Sequence, residues 1–218
     1  MCRRFLQVAA VFLAVLGTET SAMAQALVPT PSDQPAGAVL VERLRRGGLV
    51  LYFRHADTIG MPCDRSFRLG DRAGQRNLSP AGKIQAAAIG AALRDLGVPI
   101  ELPVLAGPVY RARDTAELAF GAANLRVSDD LLADDYAGDR LSAVLAAHAA
   151  LFASPVAAGT NRVLVGHRTP AILVLGPHVA GTAFPEGSAI VIEPLGTHWE
   201  ILGIWMPAPL PDAGFHRC

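Results

Sequence analysis

Lysine is almost missing from this chain: Lys83 is the only one, against 18 arginines. Net charge is missing too, since 19 basic side chains balance 19 acidic ones. That balance excludes a protein that grips nucleic acid through a general positive excess. Charged residues are scarce at 17%, against 51% hydrophobic, which excludes a disordered, charge-rich tail. No closely spaced histidine pair of the H-x-x-x-H or H-x-H kind occurs. No long uninterrupted apolar run follows the first residues, so the processed chain is expected to be soluble, without a membrane span. What is abundant is arginine, the planar bidentate partner of phosphate and carboxylate.

Residues 1–24 read as a cleaved secretory signal. Arg3 and Arg4 give a positive start, Phe5 to Leu16 is apolar apart from Gln7, and Ala22-Met23-Ala24 has the small-x-small form of a cleavage site. Removal leaves 194 residues and a net charge of −1. The expected location is periplasmic or secreted. Cys63 and Cys218 survive cleavage, and in an oxidising compartment they can pair; the sequence leaves that pairing open. Residues 25–36, with three prolines, are expected to be a flexible leader, and residues 37–218 a single domain.

Short apolar runs then alternate with helical patterns. Leu49 to Phe53, Pro103 to Ala106, Leu125 to Val127 and Arg162 to Val165 read as buried strands, and Ala189 to Glu193 and Trp199 to Trp205 as the last two. Between them, helices are expected from Ala38 to Arg46, from Pro80, from Tyr110 to Phe120, from Asp139 to Phe152 and from Pro170 to Leu175. Ser79 can cap the second of these and Pro80 fits its first turn. The alternation predicts a three-layer α/β/α sandwich around a mostly parallel sheet.

Two strands end in histidine, as Arg54-His55 and as Gly166-His167. In an open α/β sheet, ligands sit beyond the carboxyl ends of the strands, so the two imidazoles are expected in one crevice. Arg111, near the start of the Tyr110 helix, points to the same edge. Adjacent guanidiniums repel a metal ion but match the oxygens of a phosphoryl group. Neither a metal nor a cofactor is therefore expected. A neutral imidazole is a good nucleophile toward phosphorus.

At these residues the chain resembles the histidine phosphatase superfamily, in its phosphoglycerate mutase-like branch. Arg54-His55-Ala56 is similar to the family's Arg-His-Gly. Asn77-Leu78-Ser79-x-x-Gly82, Arg111-Ala112-x-x-Thr115-Ala116 and Gly166-His167 follow in the family's order. The resemblance implies a phosphoglycerate mutase-like fold, with His55 as the phosphorylated nucleophile and Arg54, Arg111 and a protonated His167 as the phosphate pocket. It implies an acid in Leu132–Gly138, where Asp134 aligns best, with Asp135 and Asp57 as rivals. Ala56 stands where glycine is usual, and Gly107 where many members have serine.

The implied activity is an exported, metal-independent phosphomonoester hydrolase. Its substrate would be small and phosphorylated, an envelope phosphosugar being one candidate. Open alternatives are a phosphohistidine protein phosphatase, a non-catalytic phosphate- or partner-binding protein that keeps the fold, and a structural envelope protein. A mutase is disfavoured because the chain has little room for a substrate-covering insertion.

Overall fold

The computed structural model describes residues 26–211 and 214–216. The expected signal segment and Cys218 lie outside them. The strands are β1 (Pro29–Pro31), β2 (Val50–Arg54), β3 (Val104–Ala106), β4 (Leu125–Val127), β5 (Arg162–Gly166), β6 (Ala189–Pro194) and β7 (Trp199–Met206). The helices are α1 (Pro35–Arg46), α2 (Pro80–Asp95), α3 (Tyr110–Phe120), α4 (Asp134–Ala137), α5 (Leu141–Ala153) and α6 (Arg168–Leu175). One sheet holds all seven strands in the order β1-β7-β6-β2-β5-β3-β4. Only β6 runs against the rest.

Apolar residues on successive positions of each central strand face opposite layers. Leu51, Phe53, Val163 and Val165 pack with Leu40, Leu44, Ile89, Leu93 and Ala116, which places α1, α2 and α3 on one face. Val50, Tyr52, Leu164 and Ile190 pack with Phe152, Ala171 and Leu175, which places α5 and α6 on the other. A strand covered on both faces has no polar side to show, which is why these runs are continuously apolar. The expected three-layer sandwich is therefore what the chain forms.

Two local details carry the site. Ser79 caps α2, its Oγ accepting from the Gly82 N–H at 2.8 Å. Helices α2 and α3 touch backbone to backbone: a Cβ on Gly90 would fall 1.9 Å from the Ala119 carbonyl oxygen. This contact fixes α3, and with it Arg111, against the helix that starts at the site.

Residues 29–31, expected within a flexible leader, instead form an edge strand. They pair in parallel with Ile204 to Met206, and the buried Trp205 donates through Nε1 to Ser32 Oγ at 2.9 Å. Prolines at both ends of the strand are compatible with an edge position, where not every N–H is needed. Among the described residues, no helix is long and apolar enough to cross a membrane.

Fully buried Asn161, before β5, joins three segments. Its Nδ2 donates to the Leu44 and Pro99 carbonyls at 2.7 Å each, and its Oδ1 accepts from the Leu49 N–H at 3.2 Å. Asn161→Ala leaves these backbone groups unpaired, each costing about 1–3 kcal/mol. We expect a lower urea midpoint with no change in the site's phosphate affinity, because Asn161 precedes β5 and the site follows it. An unchanged midpoint would show that water replaces the amide.

Candidate active site

The register of β2 and β5 places Arg54 opposite Gly166, so the next residue on each strand, His55 and His167, emerge side by side. Their ring centroids are 5.5 Å apart. The two imidazoles, Arg54 and Arg111 are all 3–5% exposed. With Arg76, Ala133, Asp134, Asp135, Arg168, Thr169, Phe215 and His216 they line one cavity of about 270 Å³. Residues predicted from the sequence and residues missed by it thus meet in the same place.

His55 Nδ1 lies 2.9 Å from the Ala56 carbonyl oxygen. A carbonyl only accepts, so the neutral ring carries its proton on Nδ1 and leaves a lone pair on Nε2. Burial, then the positive charges of Arg111 and Arg54, hold the His55 pKa well below the usual imidazole value. The ring is a free base, as a nucleophile must be. His167 was expected to be protonated. Burial, then Arg111, push its pKa well down as well, so it is neutral in the unliganded pocket. Its backbone is held at both polar groups. The Tyr52 hydroxyl accepts from the His167 N–H at 2.9 Å and donates to its carbonyl at 2.8 Å.

Arg54 is tied at three points. Its Nη1 donates to the Phe184 and Gly214 carbonyls at 3.0 Å, and its Nη2 to Glu186 Oε1 at 3.1 Å. Burial, against the opposing pull of Glu186, lowers its pKa to about 10, so it stays charged at neutral pH. Arg111 Nη1 reaches both oxygens of the buried Asp64 side chain, at 3.0 and 3.3 Å. Arg76, in the loop before α2, is only 4% exposed, with Nη2 3.8 Å from Glu186.

What remains unpaired defines the chemistry. Among the described residues, six buried side-chain N or O atoms find no partner, and five are nitrogens on this cavity's wall: Arg54 Nε, Arg76 Nη1, Arg111 Nε, His167 Nε2 and Arg168 Nε. Unpaired buried polar atoms are rare and costly, so a cluster of donors calls for an acceptor-rich anion.

Asp134, at the start of α4, lines the cavity, and its pKa is raised by burial and then by Asp135. That is the direction a proton donor needs. Asp135 is exposed. Asp57 is buried and already engaged: it accepts from Ser79 Oγ and lies 3.1 Å from His216 Nε2. The arrangement favours Asp134 over both rivals. Gly107 has no room to be serine, since a Cβ there would lie 2.2 Å from the Leu131 carbonyl oxygen.

Glu186, Asp64, Arg76, Phe215 and His216 were not among the expected site residues. Glu186 precedes β6, and antiparallel pairing with β2 brings it beside Arg54. No local pattern in the sequence announces that pairing. Arg76 had a usable signal, because it directly precedes the capped entry of α2.

Among the described residues, Asp57, Glu186 and His216 form the one group of ligating atoms close enough to hold a cation, all within 4.8 Å. Their atoms already bond to one another and to Thr58, and Arg54 and Arg76 stand 3.1 and 3.8 Å from Glu186. Fixed positive charge at that distance opposes a metal ion.

No protein-family model matches the chain, and no curated protein does. Solved structures do. A proposed alpha-ribazole-5'-P phosphatase from Escherichia coli is 16% identical with a TM-score of 0.52, covering 74% of this chain and 98% of its own. A proposed phosphohistidine phosphatase SixA from Agrobacterium tumefaciens is 21% identical with a TM-score of 0.47, covering 72% and 97%. An Entamoeba histolytica phosphoserine phosphatase variant is 13% identical with a TM-score of 0.46, covering 72% and 95%. The likeness to the Escherichia coli structure lies in the path of the chain, and with the sheet described above it establishes that this protein has the phosphoglycerate mutase-like fold.

Proposed function

We propose that the protein is an exported phosphatase of the histidine phosphatase superfamily that hydrolyses a phosphomonoester through a phosphohistidine on His55. The observation that carries this reading is the set of four unpaired buried guanidinium donors and the unpaired His167 Nε2 beside the neutral imidazole of His55. The phosphatase names of the fold's relatives agree with it. Export is supported by the signal-like first residues and by the disulfide at Cys63, a bond that persists in oxidising compartments. The partner of Cys63 lies outside the described residues, as Cys218 does. An exported enzyme fits an envelope phosphosugar as substrate.

The phosphoryl oxygens take the places that the unpaired donors await. His55 Nε2 attacks phosphorus in line, forming the N–P bond as the ester O–P bond breaks, and Asp134 gives its proton to the leaving oxygen. The Asp134 carboxylate then takes a proton from water, which attacks phosphorus and frees His55 and inorganic phosphate. Guanidiniums supply the positive charge, so no metal ion is needed.

Three outcomes are expected. His55→Ala abolishes turnover of p-nitrophenyl phosphate while circular dichroism and vanadate binding persist; undiminished turnover would remove His55 from the chemistry. Arg54→Lys lowers kcat by about 10²-fold, because an ammonium cannot keep the three anchoring bonds and also present the fixed Nε donor. For pH, burial and the charges of Arg111 and Arg54 hold the His55 pKa well below 6.5 in the free protein, so the acid limb that its protonation puts on kcat/KM lies well below pH 6.5. Asp134 must be protonated, and its pKa is raised. Activity is therefore present below that raised pKa and lost as pH climbs through it. Asp134→Asn lowers kcat by about 10²–10⁴-fold and removes the alkaline limb. A limb that survives in this variant would assign the acid elsewhere.

A further inference from the structure

The cavity has one apolar wall. Phe215 is 42% exposed, lines the same cavity as His55 and lies beside two guanidiniums, its ring centroid 5.3 Å from Arg54 and 5.7 Å from Arg168. Its position is held from both sides. On one side, the Gly214 carbonyl accepts from Arg54 Nη1 at 3.0 Å and from the Glu186 N–H at 3.1 Å. On the other, His216 Nε2 lies 3.1 Å from Asp57 and 3.3 Å from Glu186. The segment is thus docked by polar contacts of its neighbours, and the aromatic ring between them is left partly open.

Fixing Arg54 does not require that ring. Three hydrogen bonds already orient the guanidinium. An exposed aromatic face costs hydration unless a ligand covers it. The volume also speaks for a second occupant: a cavity of about 270 Å³ exceeds what a phosphoryl group fills, given that a water occupies ~30 Å³. The unpaired guanidinium nitrogens take the phosphoryl oxygens, and the volume left over is for the alcohol part of the ester.

We propose that Phe215 is a specificity-determining residue: the exposed part of its ring receives the leaving group of substrates in which a flat ring follows the phosphoryl group, and it gives them preference over acyclic phosphomonoesters. This rests on the phosphatase reading above, and for the leaving group it puts a flat ring in place of the phosphosugar named there. A ring lying on an aromatic face gains contact that an acyclic chain cannot make in full.

The test uses binding, so it does not depend on turnover. Affinities of phenylphosphonate and methylphosphonate are measured by calorimetry on the full chain and on Phe215→Ala, Phe215→Trp and His55→Ala variants. The expected result is that the full chain prefers phenylphosphonate about two- to tenfold. Phe215→Ala loses that preference while methylphosphonate binds as before, Phe215→Trp keeps it, and His55→Ala keeps it too. Unchanged methylphosphonate binding also shows that the Phe215→Ala pocket is folded. A wild-type ratio near one, a ratio that survives Phe215→Ala, or an equal loss for both phosphonates would overturn the proposal. The equal loss would mean that the ring acts through Arg54. Failure of both phosphonates to bind the full chain overturns it as well, and this outcome alone strikes at the phosphatase reading.

Discussion

The buried carboxylate of Glu186 is what lets the rest of the site exist. Four arginines line one cavity at the end of one sheet. Two like charges ~4 Å apart repel by about 4 kcal/mol at the effective dielectric of a protein's surface region. Glu186 answers two of them at once, Arg54 at 3.1 Å and Arg76 at 3.8 Å, while its second oxygen takes the Thr58 N–H at 3.1 Å. It also reaches His216, which docks the segment carrying Phe215. Asp64 plays the corresponding part for Arg111. Each guanidinium faces a protein partner through a terminal nitrogen and keeps another nitrogen unpaired, Nε in Arg54, Arg111 and Arg168 and Nη1 in Arg76. The pocket is positive because its counter-charges have been placed behind the arginines instead of in front of them.

That placement decides the state of the histidines. Both rings are sealed from water, and both feel Arg111 and Arg54 more than any acid. Neutral imidazole is the outcome, and for His55 the Ala56 carbonyl selects which nitrogen is bare. A dianionic ligand would reverse the local field, which favours a proton on His167 only once phosphate has arrived. The same cationic surroundings that bind the substrate therefore keep the nucleophile unprotonated beforehand.

The sandwich was legible because buried strands and amphipathic helices differ in period, and the described residues follow that pattern nearly element by element. His55, Arg54, Arg111 and His167 were legible because each follows a strand end or opens a helix, where chemistry is expected. Glu186 and Phe215 were not, since both reach the site through long-range pairing: one through the antiparallel β6, the other through a segment docked on Glu186. The edge strand at residues 29–31 was missed for a different reason. Prolines argue for looseness when read locally, and only the waiting edge of β7 makes them a strand.

The Tyr52 hydroxyl, gripping both the N–H and the carbonyl of His167, rises from the middle of a core strand. It packs among Phe152, Phe184 and His148, and a Cβ at Gly166 would fall 2.3 Å from its oxygen. The second histidine is therefore aimed by the hydrophobic interior and not by the loop that follows it. Its ordering entropy is surrendered when the chain folds, so none has to be given up when an anion enters. The core of this protein acts as a jig, holding the backbone of one residue still on both sides so that its imidazole meets its ligand already in place.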